Sequence, residues 1–112
     1  MKKIEAFVRH EQIDLVRETL LKIGHRSMIY YDIWYRGTEK EINLNKTNEN
    51  PLYDFMPKMK LELTVDDASV PEILDAICES AHTGITGDGK IFVLPVEEAI
   101  RIQTRETGDM IL

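Results

Sequence analysis

The apolar residues of this chain switch between two spacings along its length, and the order of the switches leaves few folds open. From Lys2 to Arg9 they alternate, with Ile4, Ala6 and Val8 on one side and Lys3, Glu5, Phe7 and Arg9 on the other. That is the mark of a strand with one buried face, and Phe7 is the exception on its polar side. Ile13, Val16, Leu20 and Ile23 then recur at helical spacing, and Gly24 stands where a glycine ends a helix. Met28 to Tyr35 is rich in Ile, Tyr and Trp, which suits a second strand. Alternation returns from Lys60 to Val65, where Leu61, Leu63 and Val65 oppose Lys60, Glu62 and Thr64.

The second half repeats the order. Ser69-Val70-Pro71-Glu72 reads as a capping box with proline in the first turn, and Val70, Ile73, Leu74 and Ile77 follow as a core stripe. Lys90 to Val96 predicts a last strand, with Pro95 marking an edge or a departure from the sheet. The resulting order, β-α-β-β-α-β, is the ferredoxin-like split arrangement of the α+β class: an antiparallel sheet with two helices on one face.

A chain of 112 residues fits one domain, 1–112. Its core is modest, which makes oligomerisation a natural further source of stability. Fourteen basic against twenty acidic residues, a formal charge of −6, argue against nonspecific nucleic-acid binding. No apolar run approaches a membrane span, and the N-terminus lacks a signal-peptide core, so no direct membrane insertion is expected. Cys78 is the only cysteine, which rules out an internal disulfide and points to a reducing cytoplasm; its expected role is that of a small buried hydrophobe. His10, His25 and His82 show no metal-ligand spacing, and His82 is expected to meet the carbonyls that end the second helix. No serine or cysteine sits in an elbow motif, so no enzyme activity is expected.

Residues 36–57 break the pattern. A connection of this length without periodicity is usually functional or disordered. It interleaves Asn43, Asn45, Asn48 and Asn50 with Glu39, Glu41 and Glu49, and has little from which to build a core. A mobile tip that a ligand orders for a partner fits that composition.

The run from Thr83 to Val96 carries the most chemistry. A Gly87-Asp88-Gly89 turn leads directly into Lys90 and a β-prone stretch. Turn amides converging on an anion beside a lysine would make a phosphate site, although Asp-Gly turns also simply open hairpins. The whole run resembles the C-terminal signature of the PII family of nitrogen-regulatory signal proteins. The opening Met1-Lys2-Lys3-Ile4-Glu5-Ala6, Val16-Arg17-Glu18, Asp54-Phe55-Met56-Pro57-Lys58 and Val96 to Ile102 agree with it without gaps.

The resemblance implies a homotrimer that binds ATP or ADP in the cleft between neighbouring subunits. It places Gly37, Lys58, Gly87, Asp88, Gly89, Lys90 and Arg101 at the nucleotide, with Phe7, Tyr35, Thr64 and Gln103 around them. It also implies control of a transporter or a nitrogen-metabolism enzyme through the loop at 36–57. Several positions depart from the family pattern. Gln103 replaces an arginine, Tyr35 a glycine and Phe7 a smaller aliphatic residue, so either the adenine pocket closes in part or stacking area is added. Glu39 stands where a glutamine helps hold Mg²⁺, which adds negative charge beside 2-oxoglutarate and predicts weak or lost binding of that acid. Pro51 replaces the tyrosine that relatives nucleotidylylate, so no such modification is expected. A divergent sensor of another adenylate or a carboxylate, or a trimeric metal-handling protein, remains as an alternative.

Overall fold

A computed structural model describes residues 1–37 and 55–112. The elements run β1 (Lys2–Val8), α1 (Ile13–Lys22), β2 (Ile29–Tyr35), β3 (Met56–Val65), α2 (Val70–Ala81) and β4 (Lys90–Pro95). The strands form one antiparallel sheet in the order β2-β3-β1-β4. This is the ferredoxin-like arrangement read from the pattern, with β2 and β4 at the edges.

The alternation sorts the sheet into two faces. Ile4, Ala6, Val8, Met59, Leu61, Leu63 and Val65 are buried with Val16 and Leu20 of α1 and with Ile73 and Ile77 of α2. Each of these side chains larger than alanine contributes about 2 kcal/mol of transfer free energy. The opposite face carries no helix. There Lys60 Nζ lies 3.1 Å from Glu62 and 3.6 Å from Glu5, Lys3 Nζ lies 3.2 Å from Glu5, and the Tyr31 hydroxyl donates to Glu62. Contact with the Tyr31 hydroxyl, then with Glu62, holds the Lys60 ammonium above its ordinary value.

Four points differ from the sequence reading. β3 begins at Met56 rather than Lys60, so the expected loop at 36–57 gives up its last residues to the sheet. Pro57 is tolerated there because the register of β1 ends at Met59, which leaves Pro57 paired only with Trp34 of β2. The capping box does not form. Ser69 Oγ instead donates to Asp66 Oδ1 at 2.6 Å, within a 3-10 turn spanning Asp67–Ser69. Ile23 is 39% exposed, because α1 ends at Lys22 and the Gly24 and His25 amides close it on the Leu21 and Leu20 carbonyls. Gly24 has φ +96°, as the terminating glycine requires. Cys78 is exposed on α2 and not a buried hydrophobe, since Ile73, Ile77 and Ala81 take the core-facing positions.

Candidate functional site

β3 fixes the position of Lys58. Its side chain is only 2% exposed, and Nζ donates to the Gly87 carbonyl at 2.6 Å. The ammonium therefore lies against the Gly-Asp-Gly turn that connects α2 to β4. Burying an ammonium demands polar partners, and a carbonyl of the turn is one of them.

The turn is organised around its own carboxylate. Asp88 accepts from the Thr83 amide at 2.8 Å, the Gly84 amide at 3.0 Å, the Thr83 hydroxyl and Arg9 Nε at 3.1 Å. Burial opposes charge on Asp88, yet the Thr83 hydroxyl, the two amides and Arg9 together hold its carboxyl well below the usual range. Arg9 Nη2 also donates to the Ile85 and Thr86 carbonyls at 3.1 and 2.8 Å. The amides bonded to Asp88 are those of Thr83 and Gly84, ahead of the Gly-Asp-Gly turn, and Asp88 anchors the turn. Sequence reasoning missed Arg9, which read only as the last polar residue of a strand. Its signal was present: a cation directly after β1 needs acceptors, and the turn offers Asp88 and two carbonyls.

Gly89 explains itself sterically. Its φ is +110°, and a Cβ there would lie 1.7 Å from the Phe7 carbonyl oxygen. The strand pair β1–β4 needs this close approach. Beside it, Lys90 is the register partner of Phe7 and is exposed, and its side chain makes no hydrogen bond or ion pair among the described residues. Gly89 and Lys90 border a groove of about 470 Å³ between β4 and α2, walled by Leu74, Ile77 and Ile91.

On the open sheet face the aromatic residues gather at the same end. The Phe7 ring lies 5.5 Å from Tyr35 and 5.8 Å from Phe92, edge-on to the latter. Gly37 follows closely, since a Cβ there would meet the Tyr35 ring at 3.2 Å. The structure therefore brings Phe7, Tyr35, Gly37, Lys58 and the turn 87–90 to one end of the sheet.

The remaining predicted residues lie elsewhere. Thr64 pairs with Lys3 six residues further along β3 than Lys58, about 20 Å away at strand rise. It lines a separate pocket of about 240 Å³ with Gly24, His25, Ser27 and Leu112. The chain leaves β4 at this far end, where the Val96 amide donates to the Met1 carbonyl. A short hairpin follows, joined by the Ile100–Thr107 bridge and by the Arg101 amide on the Glu106 carbonyl. Arg101 is exposed and its guanidinium pairs with Glu106 at 3.1 Å; Gln103 is exposed at the hairpin tip. Neither side chain forms a hydrogen bond or ion pair with the glycine turn. Glu39, Pro51 and the rest of 38–54 lie outside the described residues.

Among the described residues no group of three His, Cys, Asp or Glu is placed to hold a metal ion, and no helix is long and apolar enough to cross a membrane.

Comparison with known proteins agrees with this fold. The family model described as nitrogen regulatory protein P-II matches residues 1–106. The nitrogen regulatory protein P-II of Haemophilus influenzae is 43% identical over 109 residues, covering 97% of each chain. That of Azospirillum brasilense is 40% identical over 108 residues, covering 96% of each. A GlnB-like protein of the nitrogen fixation nifHD region in Methanobacterium ivanovii is 39% identical, covering 96% of this chain and 99% of its own. Among solved structures, Arabidopsis thaliana PII bound to citrate superimposes with a TM-score of 0.80 at 38% identity, covering 97% of this chain and 89% of that one. By its residues, its strand order and these relatives, the chain belongs to the PII family of nitrogen-regulatory signal-transduction proteins.

Proposed function

We propose that this chain is a homotrimeric, cytoplasmic regulator that binds ATP or ADP at a cleft completed by a neighbouring subunit, and reports the occupant to a partner protein through residues 36–57. The observation that carries the reading is the division of the matching residues between two ends of one sheet. Phe7, Tyr35, Gly37, Lys58 and Gly87 to Lys90 stand at one end, Thr64, Arg101 and Gln103 at the other. A head-to-tail neighbour in a closed ring would bring the second set of one subunit to the first set of the next. A phosphate chain there would meet Lys90 from one subunit and Arg101 from its neighbour, and an adenine would find aromatic area near Phe7 and Tyr35.

Signalling in this reading is linkage. Nucleotide binding favours some conformers of the loop over others, and the partner, a transporter or a metabolic enzyme, binds one of them. Glu39 in place of a neutral ligand makes Mg²⁺-bridged 2-oxoglutarate binding weak, and Pro51 removes the nucleotidylylated hydroxyl. The citrate in the Arabidopsis complex makes a carboxylate the second ligand class to test.

Calorimetry on the assembled protein with ATP and ADP, each with and without Mg²⁺, 2-oxoglutarate and citrate, tests the reading. Saturable adenine-nucleotide binding with little gain from 2-oxoglutarate is expected. Citrate binding without any nucleotide isotherm would transfer the site to carboxylates.

A further inference from the structure

We propose that Trp34 and Asp32, on one side of the edge strand β2, form a docking point for an arginine side chain of the protein that this chain regulates. The inference rests on the regulatory reading above but uses none of the residues assigned to the nucleotide. Tyr30, Asp32 and Trp34 alternate along β2 and therefore share the helix-covered side of the sheet, opposite Leu61, Met59 and Pro57 of β3. At Tyr30 the molecule supplies its own cation: the Arg17 guanidinium sits 4.4 Å from the ring centroid while bonding Asp14 at 3.1 Å. One arginine is thus held between an aromatic face and a carboxylate.

Trp34 and Asp32 offer the same two groups further along the strand. Trp34 is 73% exposed and the Asp32 side chain 79% exposed. His10 lies 3.0 Å from Asp32 and leaves most of that carboxylate open, while Glu11 beside it is exposed. Arg9 is committed to the glycine turn and Arg36 already has a partner. The local charge and the net charge of −6 select a cation and disfavour nucleic acid. An indole gives the strongest cation–π face, and a planar guanidinium can stack on it while its N–H groups reach a carboxylate. Lysine cannot do both as well.

Trp34 is the only tryptophan, so intrinsic emission reports this place alone. The assembled full chain is titrated with a hexaarginine peptide and, in parallel, a hexalysine peptide. Hexaarginine is expected to change Trp34 emission saturably and to bind at least about fivefold tighter than hexalysine. Asp32→Asn is expected to weaken hexaarginine about fivefold, and Trp34→Leu, followed by calorimetry, about tenfold. Glu98→Gln, an equal charge change in the segment after β4, leaves the affinity within about twofold. Equal binding of the two peptides, or no response to Asp32→Asn, overturns the proposal. So does shielding of Trp34 from acrylamide in the assembled protein, which would assign the patch to a second copy of the chain. The ATP isotherm, measured on the same variants, is expected to be unchanged. Its absence in the native protein would sink the nucleotide reading without touching the arginine result.

Discussion

The two ends of this sheet are built in opposite ways. At the glycine turn the anchoring side chains are paired inside the chain: Asp88 with Thr83, Gly84 and Arg9, and a Lys58 that is 2% exposed with the Gly87 carbonyl. At the other end Arg101 and Gln103 stand on an exposed hairpin, with a single ion pair to Glu106. The first end is braced before any ligand arrives, because Asp88, Arg9 and Lys58 are already paired. The second has little to hold its side chains in one geometry, since an exposed ion pair is worth about 0–1 kcal/mol. A preformed cradle and a mobile clamp on the same chain suit a site that closes only between copies.

The sharpest way to break this contrast is to disturb the rigid end. Gly89→Ala puts a Cβ 1.7 Å from the Phe7 carbonyl oxygen at φ +110°. Relief requires separating β4 from β1 or twisting the backbone, and the loss of stability is expected to be about 3–4 kcal/mol in urea denaturation. A loss below about 1 kcal/mol would mean that the turn is not rigid and that the comparison fails at its first term.

Ligand affinity separates the ends in a second way. Lys90→Met and Arg101→Ala are each expected to weaken ATP binding by about thirtyfold, roughly 2 kcal/mol from a lost charge-assisted contact. Arg101→Ala should leave stability within about 0.5 kcal/mol, as an exposed pair allows. Mixing the two inactive variants and reassembling them gives the decisive readout. If each site takes one end from each of two neighbours, random ring assembly restores about one quarter of the sites. No recovery on mixing would place both ends of the site in the same chain.

A smaller effect follows from Asp88. Its folded carboxyl lies below the ordinary 3.8, so its contribution to stability is complete above that value and is lost as pH falls below it. Asp88→Asn should cost about 1–2 kcal/mol at pH 7, the scale of hydrogen bonds to a charged acceptor. The gap between the native protein and the variant should shrink as urea titrations move from pH 5 toward pH 3. A gap that does not change with pH would show that the carboxylate charge plays no part in holding the turn.

The order of elements was legible because each strand and helix carries its own periodicity. What escaped notice was decided by contacts between distant parts of the chain. Met56 to Met59 do not alternate as a strand should, yet β2 draws them into the sheet. Ser69 has the right neighbours for a capping box, but its hydroxyl donates to Asp66 and accepts from no helix amide. Cys78 was assigned to the core on residue type, whereas its position on α2 faces outward. At the site, the glycine turn could be recognised but its purpose could not. Gly89 answers to the backbone of β1, and Asp88 answers to the Thr83 and Gly84 amides. That Thr64 and Arg101 lie far from Lys58 depends on strand direction, which periodicity alone does not reveal.

The smallest expected effect tests the mobile end by improving it. Gln103 is exposed at the hairpin tip, two residues beyond Arg101, and brings an amide where a guanidinium would carry full charge. Gln103→Arg supplies that charge with no buried contact to disturb, so stability should move by less than about 0.5 kcal/mol. If the hairpin of one subunit grips phosphate, ATP affinity should rise about three- to fivefold, and the gain should diminish between low and physiological salt, as a contact with a charged oligophosphate requires. ADP, with less phosphate charge to meet, should gain less than ATP. Equal gains for both nucleotides would place the new arginine at the ribose or the α-phosphate. No gain for either would separate the hairpin tip from the ligand, leaving Arg101 as the hairpin's sole contribution to the cleft.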